Sequence, residues 1–157
     1  MDNSVKANED KQQALLTLER YLPYRLSILS NKVSTLVAKS YQDKFALSIT
    51  EWRIMAVLGE YSGISADEIS AKTQIEKSLI SRAISKLLKR KLIERNLSVE
   101  DKRRSEISLS ETGYAVYSEI VPVSLDYEQS LLAALTEQEQ VLLSDLIDRL
   151  YAHAEGM

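Results

Sequence analysis

Three consecutive cations, Lys102, Arg103 and Arg104, stand between two short segments in which apolar and polar residues alternate. The alternation, over residues 93–98 and 105–109, predicts a two-stranded hairpin with the cations at its turn. Like charges crowded at a turn repel one another unless an anion arrives, and guanidinium groups bond phosphate oxygens strongly. We therefore expect the turn to project these side chains away from the body toward a polyanion, such as the minor groove of duplex DNA.

The preceding segment, residues 77–91, has two chemically different faces when it is drawn as a helix. One face is apolar, and it consists of Ile80, Ala83, Ile84, Leu87 and Leu88. The opposite face contains no acid and combines small hydroxyls with long cations, namely Ser78, Ser81, Arg82, Ser85, Lys86 and Lys89. Hydroxyls can bond base edges or phosphates, and arginine can bond guanine O6 and N7 together, so this face suits the major groove. We expect Arg82 to contact bases, with Ser78 and Ser81 next, and the lysines nearer the end of the helix to contact phosphates; Lys77 is also assigned to the DNA-binding face.

Within the hairpin, Ile93 or Leu97 is expected to point at the core, together with Ile107 and Leu109 of the second strand. Asp101 stands two residues before Arg103, where its carboxylate can accept bonds from turn amides or hold the arginine side chain. We therefore assign Asp101 to the scaffold of the turn and not to contact with DNA.

Positive charge is concentrated in one window of the chain. Residues 72–104 hold eleven Lys and Arg and four acids, a net charge of +7, whereas the remaining nine Lys and Arg and nineteen acids give −10. The net charge of −3 would by itself argue against a nucleic-acid partner, but charge segregated on this scale marks one surface for a polyanion. The alternative is a solvated helix face, which normally mixes the two signs.

Three helix starts carry the S/T-x-x-E form of a capping box, in which two unpaired backbone donors are satisfied reciprocally. They are Ser48–Glu51, Ser65–Glu68 and Thr136–Glu139. They predict helices over 49–60 and 66–72 and a last helix after Thr136, with a further helix beginning near Lys77. Helix, turn, helix and hairpin, in that order, is a helix-turn-helix followed by a wing.

Long helical segments flank this core. Leucines recur at three- and four-residue steps between Lys11 and about Phe45, where we expect Pro23 to kink the helix, or a break at residues 30–32 to divide it. The second segment covers about 111–135, with Pro122 as an expected kink. The apolar stripes at 11–36 and 136–151, with Tyr127 and Leu131, predict the interface of a homodimer, because one winged helix reads too few base pairs to be selective.

Several classes of function are disfavoured. Cysteine is absent from the 157 residues, which removes disulfides and thiolate metal sites and fits a reducing, cytoplasmic location. His153 is the only histidine and lies near the C-terminus, and there is no Gly-rich phosphate loop, so we expect neither an enzyme nor a cofactor. No apolar run approaches the length of a membrane span, and the polar residues 1–10 are expected to form a flexible arm.

The segment from about Leu47 to Gly113 resembles the winged helix-turn-helix core of the multiple antibiotic resistance regulator (MarR) family. The wing follows the family pattern D-x-R-x-x-x-apolar-x-L-[ST]-x-x-G, with the matches Asp101, Arg103, Ile107, Leu109, Ser110 and Gly113. The helices K-S-L-I-S-R-A-I-S-K-L-L-K-R and L-S-I-T-E-W-R-I-M are also similar to the family's. Lys91 stands where the family usually has glycine, so we expect this helix to end differently, and Ser98 replaces an upstream acid of the wing.

The resemblance implies a mainly α fold with a small two-stranded β-wing and four regions: an arm (1–10), N-terminal helices (11–46), a DNA-binding domain (47–113) and C-terminal dimerisation helices (114–157). It further implies a homodimeric regulator, by default a repressor, that binds a near-palindromic operator in double-stranded DNA. It also implies a small-molecule effector, for which we expect an aromatic or hydroxycinnamate-like acid held by Tyr24, Arg25, Ser30 and Trp52. The alternatives are that Tyr24 and Trp52 are core residues and that Arg25 pairs with an acid. The alternative function is a winged-helix protein-interaction module that does not bind DNA sequence-specifically.

Overall fold

The computed structural model describes residues 14–101 and 103–157. They form two compact units, one that ends at Ser34 and one from Thr35 to Met157. The expected arm and Lys102 lie outside the described residues. The described elements are a 3₁₀ turn and, in chain order, α1 (Leu22–Phe45), α2 (Ile49–Glu60), α3 (Ala66–Thr73), α4 (Lys77–Lys89), β1 (Ile93–Leu97), β2 (Ser105–Leu109), α5 (Glu111–Leu132) and α6 (Glu137–Glu155). The expected class, mainly α with a two-stranded wing, is confirmed.

The N-terminal segment differs from the expected kinked helix. The 3₁₀ turn covers Leu18–Arg20, and α1 begins at Leu22, so Pro23 lies in the first turn of the helix. First-turn amides have no partner within a helix, so proline there removes no hydrogen bond and its fixed φ suits the start. The alternative of a break at residues 30–32 is also wrong, because α1 continues unbroken to Phe45.

Helix starts follow the capping signals closely. Ser48 and Glu51 bond each other's backbone amides at 3.1 and 3.3 Å, and Thr136 and Glu139 do the same at 3.2 and 2.9 Å. The bond with Thr136 keeps the pKa of the Glu139 carboxyl below its usual value of 4.5. At the start of α3 only half of the box forms. Ser65 Oγ accepts from the Glu68 amide, but the Glu68 carboxylate accepts from the Ser65 hydroxyl and pairs with an arginine and does not bond the Ser65 amide.

The core lies within the second unit. Helix α2 packs against α3, α4, α5 and β2, and its residues Ile54, Met55 and Leu58 are fully buried. Hydrophobic residues from neighbouring elements complete the cluster: Ala38, Tyr41, Leu47, Ile69, Ile80, Ala83, Ile84, Leu87, Leu92, Ile93, Ile107 and Ile120. Because the apolar face of α4 is anchored there, the opposite face of α4 must point to solvent.

The wing is an antiparallel ladder that pairs Ile93 with Leu109, Arg95 with Ile107 and Leu97 with Ser105. Of the two alternatives for β1, Ile93 is the core residue at 2% exposure, whereas Leu97 is 67% exposed. Ile107 is also bridged to Ile64, which ties the second strand to the segment before α3. The base of the wing is therefore fixed to the core, and only its outer half extends from it.

Helix α6 has no buried residue although its sequence is rich in leucine. Val141, Leu142, Ile147, Leu150 and Tyr151 each leave more than half of their surface exposed within this single chain. Apolar side chains of the second half of α5, among them Leu125 and Leu131, are exposed as well. Patches of this kind mark protein contact surfaces more often than solvent-facing ones.

Candidate nucleic-acid interface

The outward face of α4 carries all seven predicted contact residues of that helix. Four core residues, Ile80, Ala83, Ile84 and Leu87, are buried on the inner face. The outer face consists of Lys77, Ser78, Ser81, Arg82, Ser85, Lys86 and Lys89, and every one of them is exposed. The helix therefore presents cations and hydroxyls together, with the cations spread over three turns.

These side chains differ in how strongly the protein itself holds them. Ser78 Oγ donates to the Glu76 carboxylate at 3.0 Å, and Lys77 Nζ lies 3.4 Å from Asp67 Oδ1. Arg82, Lys86 and Lys89 have neither an ion pair nor a hydrogen bond from their side chains within residues 14–101 and 103–157. An exposed cation without a protein partner can bind a phosphate without first breaking another contact.

The turn between α3 and α4 is held by side chains of α3. Gln74 adopts a left-handed conformation (φ 55°) that ends α3. Ser70 Oγ donates to the Ile75 carbonyl at 2.6 Å, and the Ile75 amide donates to Thr73 Oγ1 at 3.3 Å. These bonds set the direction in which α4 leaves the turn, and hence the orientation of its outer face.

The tip of the wing is organised by Ser98 and Asp101. The Arg103 amide donates to Asp101 Oδ1 at 3.0 Å, and the Asp101 amide donates to Ser98 Oγ at 3.3 Å. Backbone bonds from Ser98 to Arg104 (2.7 Å) and from Arg104 to Asp101 (2.9 Å) close the turn. Asp101 thus accepts from one turn amide, and the hydroxyl of Ser98 accepts from another. Arg103 is exposed.

Arg104 does not follow the expectation for the wing. Its guanidinium forms an ion pair with the carboxylate of Glu68 on α3. The expectation that the cations at the tip all point away from the body is therefore wrong for Arg104. The sequence did not indicate this pair, because Glu68 was assigned to a capping box, and 36 residues separate the two partners.

The end of α4 also differs from the expectation. Lys91 adopts the left-handed conformation (φ 59°), its amide donates to the Leu88 carbonyl at 3.0 Å, and the Leu92 amide donates to the Leu87 carbonyl at 3.0 Å. This is the Schellman ending that glycine usually provides. The prediction of a different ending is wrong, because the two bonds and the burial of Leu92 outweigh the local strain of a lysine.

Arg90 has a structural role, which the charge pattern alone did not distinguish from the role of the other cations in the basic window. Its guanidinium donates to the carbonyls of Phe45 and Ala46 at 2.5 and 3.1 Å and lies 3.9 Å from the buried carboxylate of Glu51. Arg90 therefore joins the end of α4 to the α1–α2 connection. Of the eleven cations in the basic window, this one holds the helix that carries Lys77, Arg82, Lys86 and Lys89.

The residues assigned to an effector lie in different units. Tyr24 and Arg25, both exposed, line a groove of about 440 Å³ in the first unit together with Glu19, Ile28, Leu29 and Lys32. Ser30 is exposed and is not one of the lining residues. In the second unit Trp52 is packed against the core, with its ring centroid 5.6 Å from that of Tyr41 and 6.0 Å from that of Tyr117. The alternative that Trp52 is a core residue therefore agrees with its packing, whereas Tyr24 is 41% exposed.

Two other kinds of site are absent from the described residues. No group of three or more His, Asp or Glu side chains there is placed to hold a metal ion. Nor does any helix of residues 14–101 and 103–157 combine the length and apolarity that a bilayer span requires.

Comparison with known proteins agrees with this geometry. A family model described as MarR family matches residues 47–104, which run from before α2 to the tip of the wing. The crystal structure of a MarR/EmrR family transcriptional regulator from Acinetobacter sp. ADP1 is 32% identical, superposes with a TM-score of 0.83, and covers 90% of this chain and 100% of that one. The regulator BilQ from Clostridium symbiosum is 26% identical over 116 residues, 74% of this chain and 81% of that protein. PcaV from Streptomyces coelicolor, crystallised with its natural ligand, shares the fold at 21% identity and a TM-score of 0.75, over 90% of this chain and 99% of that one.

These relatives are transcriptional regulators and not enzymes, which confirms the expectation that the chain is not catalytic. The identity to the Acinetobacter regulator extends over nearly the whole chain, and the matched segment contains both the exposed face of α4 and the wing. This chain is therefore a DNA-binding transcriptional regulator of the MarR family.

Proposed function

We propose that the chain acts as a homodimeric repressor that binds a near-palindromic operator and occludes promoter DNA. The observation that carries this proposal is the set of exposed cations on α4 that have no partner among the described residues, together with the exposed Arg103 of the wing. A helix with this face fits the major groove, and an arginine on a hairpin tip fits the adjacent minor groove. In this proposal Arg82 contacts base edges, and Lys77, Lys86, Lys89 and the wing cations contact phosphates or the minor groove.

In this proposal the serines of α4 help to position the helix on DNA and to select the base sequence. Ser81 and Ser85 are exposed on the same face, and Ser85 Oγ already donates to the Ser81 carbonyl at 3.0 Å. A hydroxyl can exchange such a bond for one to a phosphate or base edge at little cost. Ser78, bonded to Glu76, is the serine nearest the start of the helix, the end that most often meets base edges.

The proposed dimer rests on the exposed apolar residues of α5 and α6. The apolar side chains of this 19-residue helix are left largely uncovered by their own chain, so a second copy is the partner that would cover them. A two-fold dimer places two copies of α4 about one helical turn of DNA apart and thereby requires a near-palindrome.

For the effector we propose a small aromatic carboxylate, such as a hydroxycinnamate-like acid. The groove beside Tyr24 and Arg25 offers apolar walls, an aromatic ring and a cation, with Lys32 as a second cation. A carboxylate on an aromatic ring matches that combination. The two α4 helices of a dimer must be spaced to match the two half-sites. A ligand that binds better to a dimer with a different spacing would weaken DNA binding by the ratio of its affinities for the two states.

The test of the operator is selection of bound sequences from random duplex DNA, with and without a panel of aromatic acids. We expect a near-palindrome to be enriched and the aromatic acid to release it. The Arg82→Ala variant should relax the selected sequence, whereas Lys39→Ala, a loss of charge on α1 outside the basic window, should leave it unchanged. If no DNA sequence is enriched and the chain instead retains an acidic protein, the result would favour the protein-interaction alternative.

The test of the effector is direct binding of the same panel of aromatic acids, measured by isothermal titration calorimetry. We expect saturable binding of one or more aromatic acids, which the Arg25→Ala variant should lose and Arg20→Ala, outside the groove, should retain. Absence of binding across the panel would contradict an aromatic acid as the effector while leaving the DNA-binding proposal intact.

A further inference from the structure

One apolar side chain of α4 takes no part in the core. Leu79 is 46% exposed, and it is absent from both the buried cluster and the partly buried residues packed against it. Its neighbour Ile80, by contrast, is fully buried. A single exposed leucine is ordinary on a protein surface, so exposure by itself carries no inference.

The position of Leu79 on α4 does carry one. Leu79, Arg82 and Lys86 recur at three- and four-residue steps, so they lie in one row along the helix, with Leu79 nearest the N-terminal end. Arg82 and Lys86 belong to the cationic face of α4, so the row places Leu79 on the same side of the helix, where the sequence has no other large apolar residue. A helix that enters the major groove contacts base edges chiefly with its N-terminal residues. Leu79 is thus the apolar group that would meet the bases.

We infer that Leu79 reads the C5 methyl group of a thymine in each half-site of the operator. The methyl is the only apolar group that a base pair presents in the major groove, and it is absent from cytosine. Burial of this methyl against the leucine removes apolar surface of both groups from water. This inference deepens the proposed function and rests on it, because it requires that α4 enter the major groove.

The chemistry of thymine allows the contact to be tested one methyl group at a time. Deoxyuridine pairs like thymidine and differs from it only by lacking that methyl. The operator selected by the wild-type protein is prepared as a series of duplexes in which each thymine of one half-site is replaced singly by deoxyuridine. Affinity is measured for the wild-type dimer and for Leu79→Ala, Leu79→Met and Leu97→Ala, the last being an exposed leucine on the wing strand.

We expect one thymine position at which the replacement lowers wild-type affinity about fourfold, the value of one buried methyl, and about fifteenfold when both half-sites are changed. The Leu79→Ala variant should bind the thymine and deoxyuridine duplexes equally. Leu79→Met should keep the discrimination, since its side chain is also apolar and long, and Leu97→Ala should keep it as well.

Three results would overturn the inference. The wild type could bind an operator that has no thymine sensitive to the replacement, or a half-site without a thymine. Leu79→Ala could retain the discrimination, in which case another residue reads the methyl. In either case the wild type still binds its operator, so the proposed function stands. If the wild type retains no duplex at any salt concentration, the proposed function fails and the inference fails with it.

Discussion

The left-handed lysine at the end of α4 gives a prediction whose size can be worked out. Lys91 has φ 59°, a conformation that costs an L-residue about 1–2 kcal/mol and costs glycine nothing. Glycine in turn loses about 0.5–1 kcal/mol more backbone freedom on folding. The Lys91→Gly variant should therefore be more stable by about 0.5–1 kcal/mol per subunit. The exposed side chain of Lys91 offers little packing to lose.

Urea unfolding at one fixed protomer concentration is the suitable assay, because the stability of a dimer depends on concentration. With a slope of about 2 kcal/mol per molar urea, the gain corresponds to a midpoint shift of about 0.2–0.5 M. Lys91→Ala is the matched control, because it removes the charge and keeps the strained φ, and it should show no such gain. An equal gain in Lys91→Ala, or no gain in Lys91→Gly, would refute the explanation by backbone strain.

Three further substitutions test a close backbone approach, an ion pair and the apolar surface of α6. Gly113→Ala should destabilise the protein by about 2 kcal/mol or more in urea unfolding, because a Cβ there would lie 1.8 Å from the carbonyl oxygen of Leu92 and force the two backbone segments apart. The control Gly156→Ala, whose Cβ would have its nearest neighbour at 3.6 Å, should change the stability little. Glu68→Gln should raise operator affinity a few-fold at low salt, because it releases Arg104 for DNA, and an unchanged affinity measured by electrophoretic retention would mean that Arg104 stays unavailable. Leu146→Glu should convert the proposed dimer to monomer in analytical ultracentrifugation, because it places a charge on the apolar surface of α6, and a dimer of unchanged stability would exclude that surface.

The sequence predicted the helices and the wing because their signals are local. The two residues of each capping box, Ser48 with Glu51 and Thr136 with Glu139, lie within one four-residue stretch, and both boxes form. The separation of α4 into two faces follows from its helical period, which is also local. The exposed Leu79 could have been found in the same way, as an apolar residue outside the arc of the core.

What the sequence did not predict depends on partners that lie far away along the chain. Arg104 pairs with Glu68, and Arg90 bonds carbonyls 44 and 45 residues away. No spacing rule connects such pairs before the fold is known. Lys91 is a different case: a local preference correctly disfavoured its conformation, and tertiary packing overrode that preference. Pro23 shows that a proline inside a periodic stretch can mark a helix start as well as a kink.

The central claim is that cations on one face of α4 and on the wing neutralise phosphates of one duplex. The direct measurement is operator affinity as a function of salt concentration for the wild type and the Arg103→Ala variant. If four or five cations of each subunit contact phosphates, log affinity should fall against log salt with a slope of about −7 to −9, and Arg103→Ala should make it shallower by about two, one per subunit. A slope near zero, or an unchanged slope in Arg103→Ala, would contradict the account.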